Sequence, residues 1–390
     1  MSADFDLIIV GGGLVGASLA AALESSGLSL ALVEPEAPRA PPDDHSLDTR
    51  VYAISPGAAI FLQACGAWQR MPQERLSRVE AMQVHGDDPA ARLDFSAYEA
   101  GLRELAFIVE NRELQHALWE RLTASSHVRL VCPGRCARVE WDHDAVRVTL
   151  ESGKRLAARL LVGADGADSW VRHQARIAAS PHAYGQLGVV ANFRTAKPHH
   201  GTAFQWFRRD GVLALLPLPG NRASMVWSTQ QAHGRELLAA APDALAEEVG
   251  IASRQALGAL QLIAPPAAFP LQLQRVAQLV KPRVALVGDA AHNVHPLAGQ
   301  GVNLGFRDAR ELAAVLADRG PQADCGDYAL LRRYERARKE DILAMQLATD
   351  GLQQLFASDA VWLERVRNFG LKLVNAQSLV KTLLVRKAAA

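Results

Sequence analysis

The chain has 390 residues, too many for one ordinary core and enough for two domains with an extension. Hydrophobic residues make up 49% and charged residues 21%, which excludes a disordered or fibrous chain. The net charge of +1 gives no bulk field to attract nucleic acid, and no run of about 18 apolar residues offers a membrane-spanning helix.

Acidic Asp4 and Asp6 precede the first apolar stretch, so the N-terminus reads as a buried strand and not as a signal peptide. The four cysteines are scattered. Cys132 and Cys136 are spaced for neither a zinc pair nor a redox CxxC, and reduced thiols in a cytoplasmic protein are expected.

Residues 6–10 read as a short parallel strand buried on both faces. Gly11, Gly13 and Gly16 follow as GxGxxG, with Leu14 and Val15 inside the turn, and a small apolar helix is expected over 17–25. Residues 30–33 form a second strand that ends in Glu34. Gly11 permits the tight turn, Gly13 lets backbone approach a pyrophosphate, and Gly16 lets helix and strand pack closely. The helix start offers free N–H groups to phosphate. Glu34 can accept hydrogen bonds from ribose hydroxyls, each worth about 1.5–3 kcal/mol at a charged acceptor. An acid there favours unphosphorylated ribose, so FAD or NAD rather than NADP.

Residues 159–172 give a buried strand, a Gly163-Ala164-Asp165-Gly166 turn and then polar residues. From 176 to 274 the pattern changes. Residues 189–194, 202–208, 211–218 and 222–228 read as strands separated by Gly, Pro and Asn turns, with a two-residue period in Ala203, Gln205 and Phe207. A mostly antiparallel sheet, joined by residues 76–98, would cover the cofactor and form the substrate pocket. Phe204, Trp206, Phe207, Met225 and Trp227 are candidates for its lining, although core burial is the commoner fate of such residues. Arg208 and Arg209 are candidates to meet a carboxylate, whereas a pocket with few charges suits a greasy substrate.

Residues 283–287 are another buried strand, ending in Gly288-Asp289, and a glycine-rich loop then enters a helix near Asn303. A carboxylate at a strand end suits polyol hydroxyls, and the loop and helix start present N–H donors to an anionic ring edge. A flavin has both features and NAD has neither. Residues 327–350 form a charged helix whose run from Arg332 to Glu340 reads as a solvated face. From Trp362 onward Val366, Phe369, Leu373, Val380 and Leu384 recur at helical spacing among Lys372, Lys381, Arg386 and Lys387. Two readings stay open for this tail: packing on its own protein, or lying on an anionic membrane surface.

The string Gly288-Asp289-Ala290-Ala291-His292, continued by residues 295–308, resembles the ubiquinone-biosynthesis hydroxylases, FAD-dependent aromatic monooxygenases of the para-hydroxybenzoate hydroxylase type. Residues 48–55 and 110–115 fit the same family, and the resemblance runs from the N-terminus to about residue 340. It implies that Gly11, Gly13, Leu14, Val15, Gly16 and Glu34 hold the ADP half of FAD. It places Arg50 and Arg112 along the cofactor, and Asp165 in a motif serving both FAD and transient NAD(P)H. Gly288 and Asp289 fall at the ribityl chain, and Pro296 with the stretch Gly299, Gln300, Gly301, Val302 and Asn303 along the flavin ring. Arg50, His295, Pro296 and Gln300 are the flavin-facing candidates, and no side chain is assigned as acid or base.

The expected fold is α/β. A Rossmann-like FAD-binding domain (1–75, 99–175 and 275–330) is interleaved with a mostly antiparallel substrate domain (76–98 and 176–274), and a helical extension covers 331–390. The expected activity is ring hydroxylation of a polyprenylated phenol through a flavin hydroperoxide, using O2 and NAD(P)H. Peripheral contact with the inner membrane face or with a ubiquinone-biosynthesis complex is implied, and no nucleic acid. A second GxGxxG for the reductant is absent, so the donor binds transiently or electrons arrive from a protein. The alternatives are a hydroxylase of a soluble aromatic compound and a non-catalytic, flavin-bound scaffold subunit. A flavin halogenase would want a Trp-x-Trp-x-Ile run, and a disulfide reductase paired cysteines beside the first helix; the chain has neither.

Overall fold

The computed structural model describes residues 3–42, 46–86, 88, 91–293, 301–320, 323–357 and Val385. Among them the strands form three sheets.

The first sheet is built around Phe5–Val10, which pairs in parallel with Leu30–Val33 on one side and Arg155–Gly163 on the other. Val128–Val131 extends it beyond Leu30–Val33, and Val284–Leu286 beyond Arg155–Gly163, both in parallel. Leu7, Ile8 and Ile9 are fully buried with no alternation, as a strand covered on both faces requires. The strands that end in Val10, Gly163 and Leu286 lie side by side, so their C-terminal ends and the turns after them share one edge. In an open parallel sheet that edge is where ligands bind.

The second sheet is antiparallel through Ala267–Val276, Ala179–Thr195, Arg222–Gln230, Gly211–Leu218 and Thr202–Arg208. Ala81–His85 then joins Thr202–Arg208 in parallel. The strand Ala179–Thr195 is far longer than the hydrophobic pattern over 189–194 implies, because its first half pairs with Ala267–Val276 and not with a core. Two helices, Gln231–Ala239 and Pro242–Ala252, interrupt a region that reads as mostly strand. Their role follows from the rows that register creates. One face carries Val189, Trp227, Leu213 and Trp206, with Ala191, Met225, Leu215 and Phe204 beside them. That face is too apolar to leave in water, and Leu237, Leu245 and Val249 of the two helices close it into a core.

The other face carries Val190, Val226, Ala214 and Gln205, and next to them Asn192, Ser224, Leu216 and Ala203. It meets the small third sheet of Val51–Ile54, Ala106–Glu110 and Ser77–Val79. There Ala203, Leu216 and Leu218 pack with Val51, Ala53, Val79 and Ile108. From this face Asn192 donates to the Asp48 carbonyl, so it adjoins the segment that leads into Val51–Ile54. Four of the five large residues proposed as pocket lining therefore go elsewhere. Phe204, Trp206, Met225 and Trp227 belong to the helix-covered core, while Phe207 shares the face of Ala203 and Gln205 and packs there with Val84 and Leu93. The period of two correctly groups Ala203, Gln205 and Phe207, but it does not say which face sees the cofactor.

Helix Gly301–Ala317 packs on the first helix, Leu14–Ala22, and helix Tyr328–Ala357 packs on both Gly301–Ala317 and Val280–Lys281. The charged face expected on the last helix is there, with Arg333, Arg336, Lys339 and Glu340 exposed, but the run is not solvated throughout. Tyr334, Glu335 and Arg338 are buried, because each satisfies a polar group behind the first sheet. The basic amphipathic segment read from Trp362 onward lies outside the described residues, Val385 excepted.

Candidate cofactor and substrate site

The first turn is shaped by what its glycines exclude. A Cβ on Gly11, whose φ is +104°, would sit 2.3 Å from the Ala164 carbonyl oxygen, and one on Gly16 would sit 2.0 Å from the Gly11 carbonyl oxygen. Both are needed so that the turn, the helix and the neighbouring strand can touch. Gly13 is different: a Cβ there meets nothing within 4 Å. Protein packing does not require a glycine at 13, but backbone exposure to a ligand does. Gly13 also stands at the N-cap of Leu14–Ala22, which has no side-chain cap and no acid in its first turn. The leading N–H groups, those of Leu14 and Val15 among them, are left for an anion. Glu34 accepts from the Gly12 N–H at 2.5 Å, and the Trp119 indole donates to the Gly12 carbonyl at 2.7 Å. Glu34 is thus held at the turn, as a ribose acceptor must be, while Trp119 is a support that no motif announces. These features fit the phosphates and ribose of FAD.

The second turn, Gly288–Asp289, is held by charge. Gly288 has a φ of +60° and lies against Val15, as does Gly305, so a side chain at either position would crowd the first helix. Below the turn, Asp308 accepts from the Gly288 N–H at 3.0 Å, pairs with His292 at 2.5 Å and pairs with Arg338 at 2.7 Å. Asp308 is fully buried. Burial alone would raise its carboxyl, but His292 and Arg338 outweigh burial and hold it below the usual carboxylate range. Arg338 also binds Asp341 at 2.7 Å. Tyr334 donates to the Leu286 carbonyl at 2.9 Å, which fixes the strand leading into the turn. Gln274 donates to the backbone carbonyl of Asp289 at 3.2 Å.

The Asp289 side chain itself remains accessible in this frame. Surrounding protein still raises its carboxyl above the ordinary value by desolvation, with His292 and Arg50 pulling the other way. An accessible carboxylate in a desolvating recess is a strong acceptor for hydroxyl donors.

The segment before Val51–Ile54 brings Arg50 toward Asp289. Asp48 is its anchor. Its carboxylate accepts from the N–H groups of Arg50 at 3.0 Å and Arg112 at 3.2 Å, and its own N–H donates to Glu110 at 2.6 Å. Arg75 forms a two-pronged pair with Glu110, both contacts at 2.8 Å. Arg50 is exposed and lies over the Tyr52 ring, 5.5 Å from its centroid. Arg112 donates to the Ser46 carbonyl, and its Nε is buried with no partner among the described residues. Asp165 turns inward: Ser169 donates to it at 2.5 Å and the Val171 N–H at 3.0 Å, while burial raises its carboxyl.

Asn303 is buried, and its side chain spans the cleft floor, accepting from the Ser55 N–H and donating to the Ala53 carbonyl. The side chain is therefore structural, while Gly301 and Val302 are the first residues of the helix. His295, Pro296, Gly299 and Gln300 lie outside the described residues. Arg208 does not reach this side. It pairs with Asp210 at 2.8 Å and stacks over Trp227 on the helix-covered face. Burial pushes the thiols of Cys65, Cys136 and Cys325 up to about 12, so they stay protonated at neutral pH.

Comparison with known proteins gives the chain a family. Residues 4–348 match a family model described as an FAD binding domain. The chain is 36% identical over 388 residues to ubiquinone hydroxylase UbiL of Rhodospirillum rubrum, covering 98% of this chain and 89% of that protein. It is 34% identical to the 3-demethoxyubiquinol 3-hydroxylase of Escherichia coli, over 96% of each chain. The crystal structure of PqsL from P. aeruginosa, in complex with 2-aminobenzoylacetate, superimposes with a TM-score of 0.79 over 94% of this chain and 99% of that one, at 24% identity. That likeness concerns the fold. The chain belongs to the ubiquinone-biosynthesis hydroxylase family, and it is an FAD-dependent monooxygenase.

Proposed function

We propose that this enzyme hydroxylates the aromatic ring of a polyprenylated phenol or quinol during ubiquinone biosynthesis, with NAD(P)H as the reductant. The observation that carries the substrate class is the inner face of the second sheet. Its rows Val190, Val226, Ala214, Gln205 and Asn192, Ser224, Leu216, Ala203 hold no charge, the pair Arg194 and Arg222 standing one row further along the strands, and Arg208, one of the two arginines offered for a carboxylate, stacks on the opposite face. An uncharged wall favours a greasy ring over a benzoate, since an unpaired carboxylate against apolar surface is costly. The relatives' names, a ubiquinone hydroxylase and a demethoxyubiquinol hydroxylase, support the same reading.

In this reading the turn from Gly11 to Gly16 takes the pyrophosphate, Glu34 the adenosine ribose, and Asp289 the ribityl hydroxyls. Arg50 and Arg112 supply positive charge along the cofactor, and Asp165 shapes the turn at its edge. FAD, when bound, takes electrons from the reduced donor and activates O2 for transfer of one oxygen atom to an electron-rich ring. The backbone N–H groups at Gly301 and Val302 begin a helix, and would offer donors to a flavin ring edge that becomes negative on reduction. The inner sheet face orients the substrate ring and keeps water from the reacting atoms.

The quinone pool of a strain lacking the gene tests this directly. Mass spectrometry is expected to show a prenylated phenol short of one ring oxygen, restored by the wild-type gene and not by Asp289→Ala. An unchanged pool would remove the substrate assignment and favour a soluble aromatic compound.

A further inference from the structure

We propose that Asn192 is a positioning residue for the flavin site: its amide, reaching out of the second sheet, holds the segment that carries Arg50. The proposal rests on reading Arg50 as a cofactor-facing residue.

Asn192 lies near the C-terminal end of Ala179–Thr195 and is fully buried. Its Nδ2 donates to the backbone carbonyl of Asp48 at 2.9 Å. Asp48 in turn holds the Arg50 N–H, and the Arg50 carbonyl accepts from the Asn111 N–H at 2.9 Å. Arg50 is thus fixed from its own side by Asp48 and the start of helix Asn111–Thr123, and from across the cleft by Asn192. The side chain of the second sheet that donates a hydrogen bond to the Arg50 segment is an asparagine, in a row where Leu216 and Ala203 show that apolar side chains fit.

The amide is maintained against a cost. The Asn192 Oδ1 is buried with no partner among the described residues, and so is the Ser224 Oγ directly across the strand pair. A buried acceptor without a donor weakens the core, a cost that a leucine would avoid. The amide cannot relieve the cost by turning over, because Oδ1 would then face the Asp48 carbonyl, acceptor against acceptor. A polar side chain that weakens its own core, and whose one hydrogen bond reaches the segment ending in Arg50, is placed for that bond and not for stability. Loss of the bond frees the segment, lets Arg50 drift from Asp289 and loosens the cofactor.

The test compares purified holoenzymes of the wild type, Asn192→Leu, Arg50→Ala, the double variant and Ser224→Ala. Release of FAD on dilution is followed by the rise in flavin fluorescence, and thermal unfolding is recorded alongside. Asn192→Leu and Arg50→Ala are each expected to speed release about tenfold, the loss of roughly one charge-linked contact. The double variant is expected to be no faster than Arg50→Ala, because Asn192 acts through that residue. Freed of FAD, Asn192→Leu is expected to unfold no earlier than the FAD-free wild type, and Ser224→Ala is expected to release FAD at the wild-type rate. If Asn192→Leu does not fold, Asn192→Ala takes its place with the same expectations for release. Wild-type release by the Asn192 variant beside faster release by Arg50→Ala would overturn the positioning role and leave the site reading intact. An additive double variant would overturn it as well. Wild-type release by Arg50→Ala would remove the cofactor-facing reading on which it stands.

Discussion

The two glycine turns at the edge of the first sheet reach the same end by different physics. The Gly11–Gly16 turn is held by the absence of side chains, its backbone pressed against the Ala164 carbonyl. The Gly288–Asp289 turn is held from beneath by Asp308, which is itself kept ionised by His292 and Arg338. Steric closeness needs only the local sequence. An ionic support needs partners brought in from two later helices. The steric contacts of the first device carry no charge; the second fails whenever one member is lost.

The largest expected effect breaks the second turn. Arg338→Met leaves Asp308 buried beside His292 with half its compensation gone, and removal of one partner from a buried pair costs about 3–5 kcal/mol. Chemical denaturation of the FAD-free protein measures it. The double variant Asp308→Leu/Arg338→Met is expected to recover part of the loss, because no uncompensated charge remains. Equal losses in the single and double variants would mean that the arginine's packing, and not its charge, matters.

The next effect separates the glycines of the first turn. Gly16→Ala drives a Cβ into the Gly11 carbonyl and is expected to cost about 3 kcal/mol or more, with loss of FAD binding. Gly13→Ala meets only open space, so the FAD-free protein is expected to unfold as the wild type does. Its FAD affinity is nevertheless expected to fall about tenfold or more, because the methyl group occupies the approach of the phosphates. Titration of both variants with FAD, beside thermal unfolding, checks the contrast. Full FAD affinity in Gly13→Ala would place the pyrophosphate elsewhere.

This contrast also marks what the sequence could disclose. The GxGxxG turn, Glu34, the strand over 30–33 and the strands Thr202–Arg208 and Gly211–Leu218 are set by local spacing, and the structure has them there. Arg338 was not legible. Its neighbours Arg332, Arg333, Arg336 and Lys339 make the helix look solvated, and only the packing of that helix behind Leu286 and Leu304 turns one arginine of the run inward. Trp206 and Trp227 were legible as strand residues but not as to face, since the helices that claim them come later in the chain. Asn192 carries no motif at all; its meaning depends on Asp48, which lies 144 positions away in sequence.

A smaller effect follows from pH. The carboxyls of Asp308 and Asp341 are held low in the folded protein, Asp308 by His292 and Arg338 and Asp341 by Arg338 and Arg307, each against the effect of burial. A lowered folded value contributes stability that is present above the unfolded value, about 4, and is lost as pH falls through the folded one. Unfolding midpoints are therefore expected to hold between pH 8 and 5, as roughly neutral conditions keep both groups ionised, and to drop below about pH 4. In Asp308→Leu/Arg338→Met that acid drop is expected to be shallower. An identical acid profile in the two proteins would detach the second turn's stability from this ion pair.

The smallest effect sets function against stability at one carboxyl. Asp289 is accessible, yet its surroundings raise its carboxyl above the ordinary value, first through desolvation. A raised value in the folded state means that ionising this group at neutral pH works against folding, and the penalty grows as pH rises from the unfolded value to the folded one. Asp289→Asn is thus expected to raise the unfolding temperature of the FAD-free protein slightly at pH 7 and to leave it unchanged at pH 3. The same substitution is expected to weaken FAD binding about tenfold, since a neutral amide replaces a charged acceptor for hydroxyl donors. Thermal unfolding and FAD titration of one preparation read both signs. Opposite signs would mean that the carboxylate is retained for the cofactor at the expense of the empty fold. A loss in both would make Asp289 one more structural member of the turn, like Asp308 beneath it.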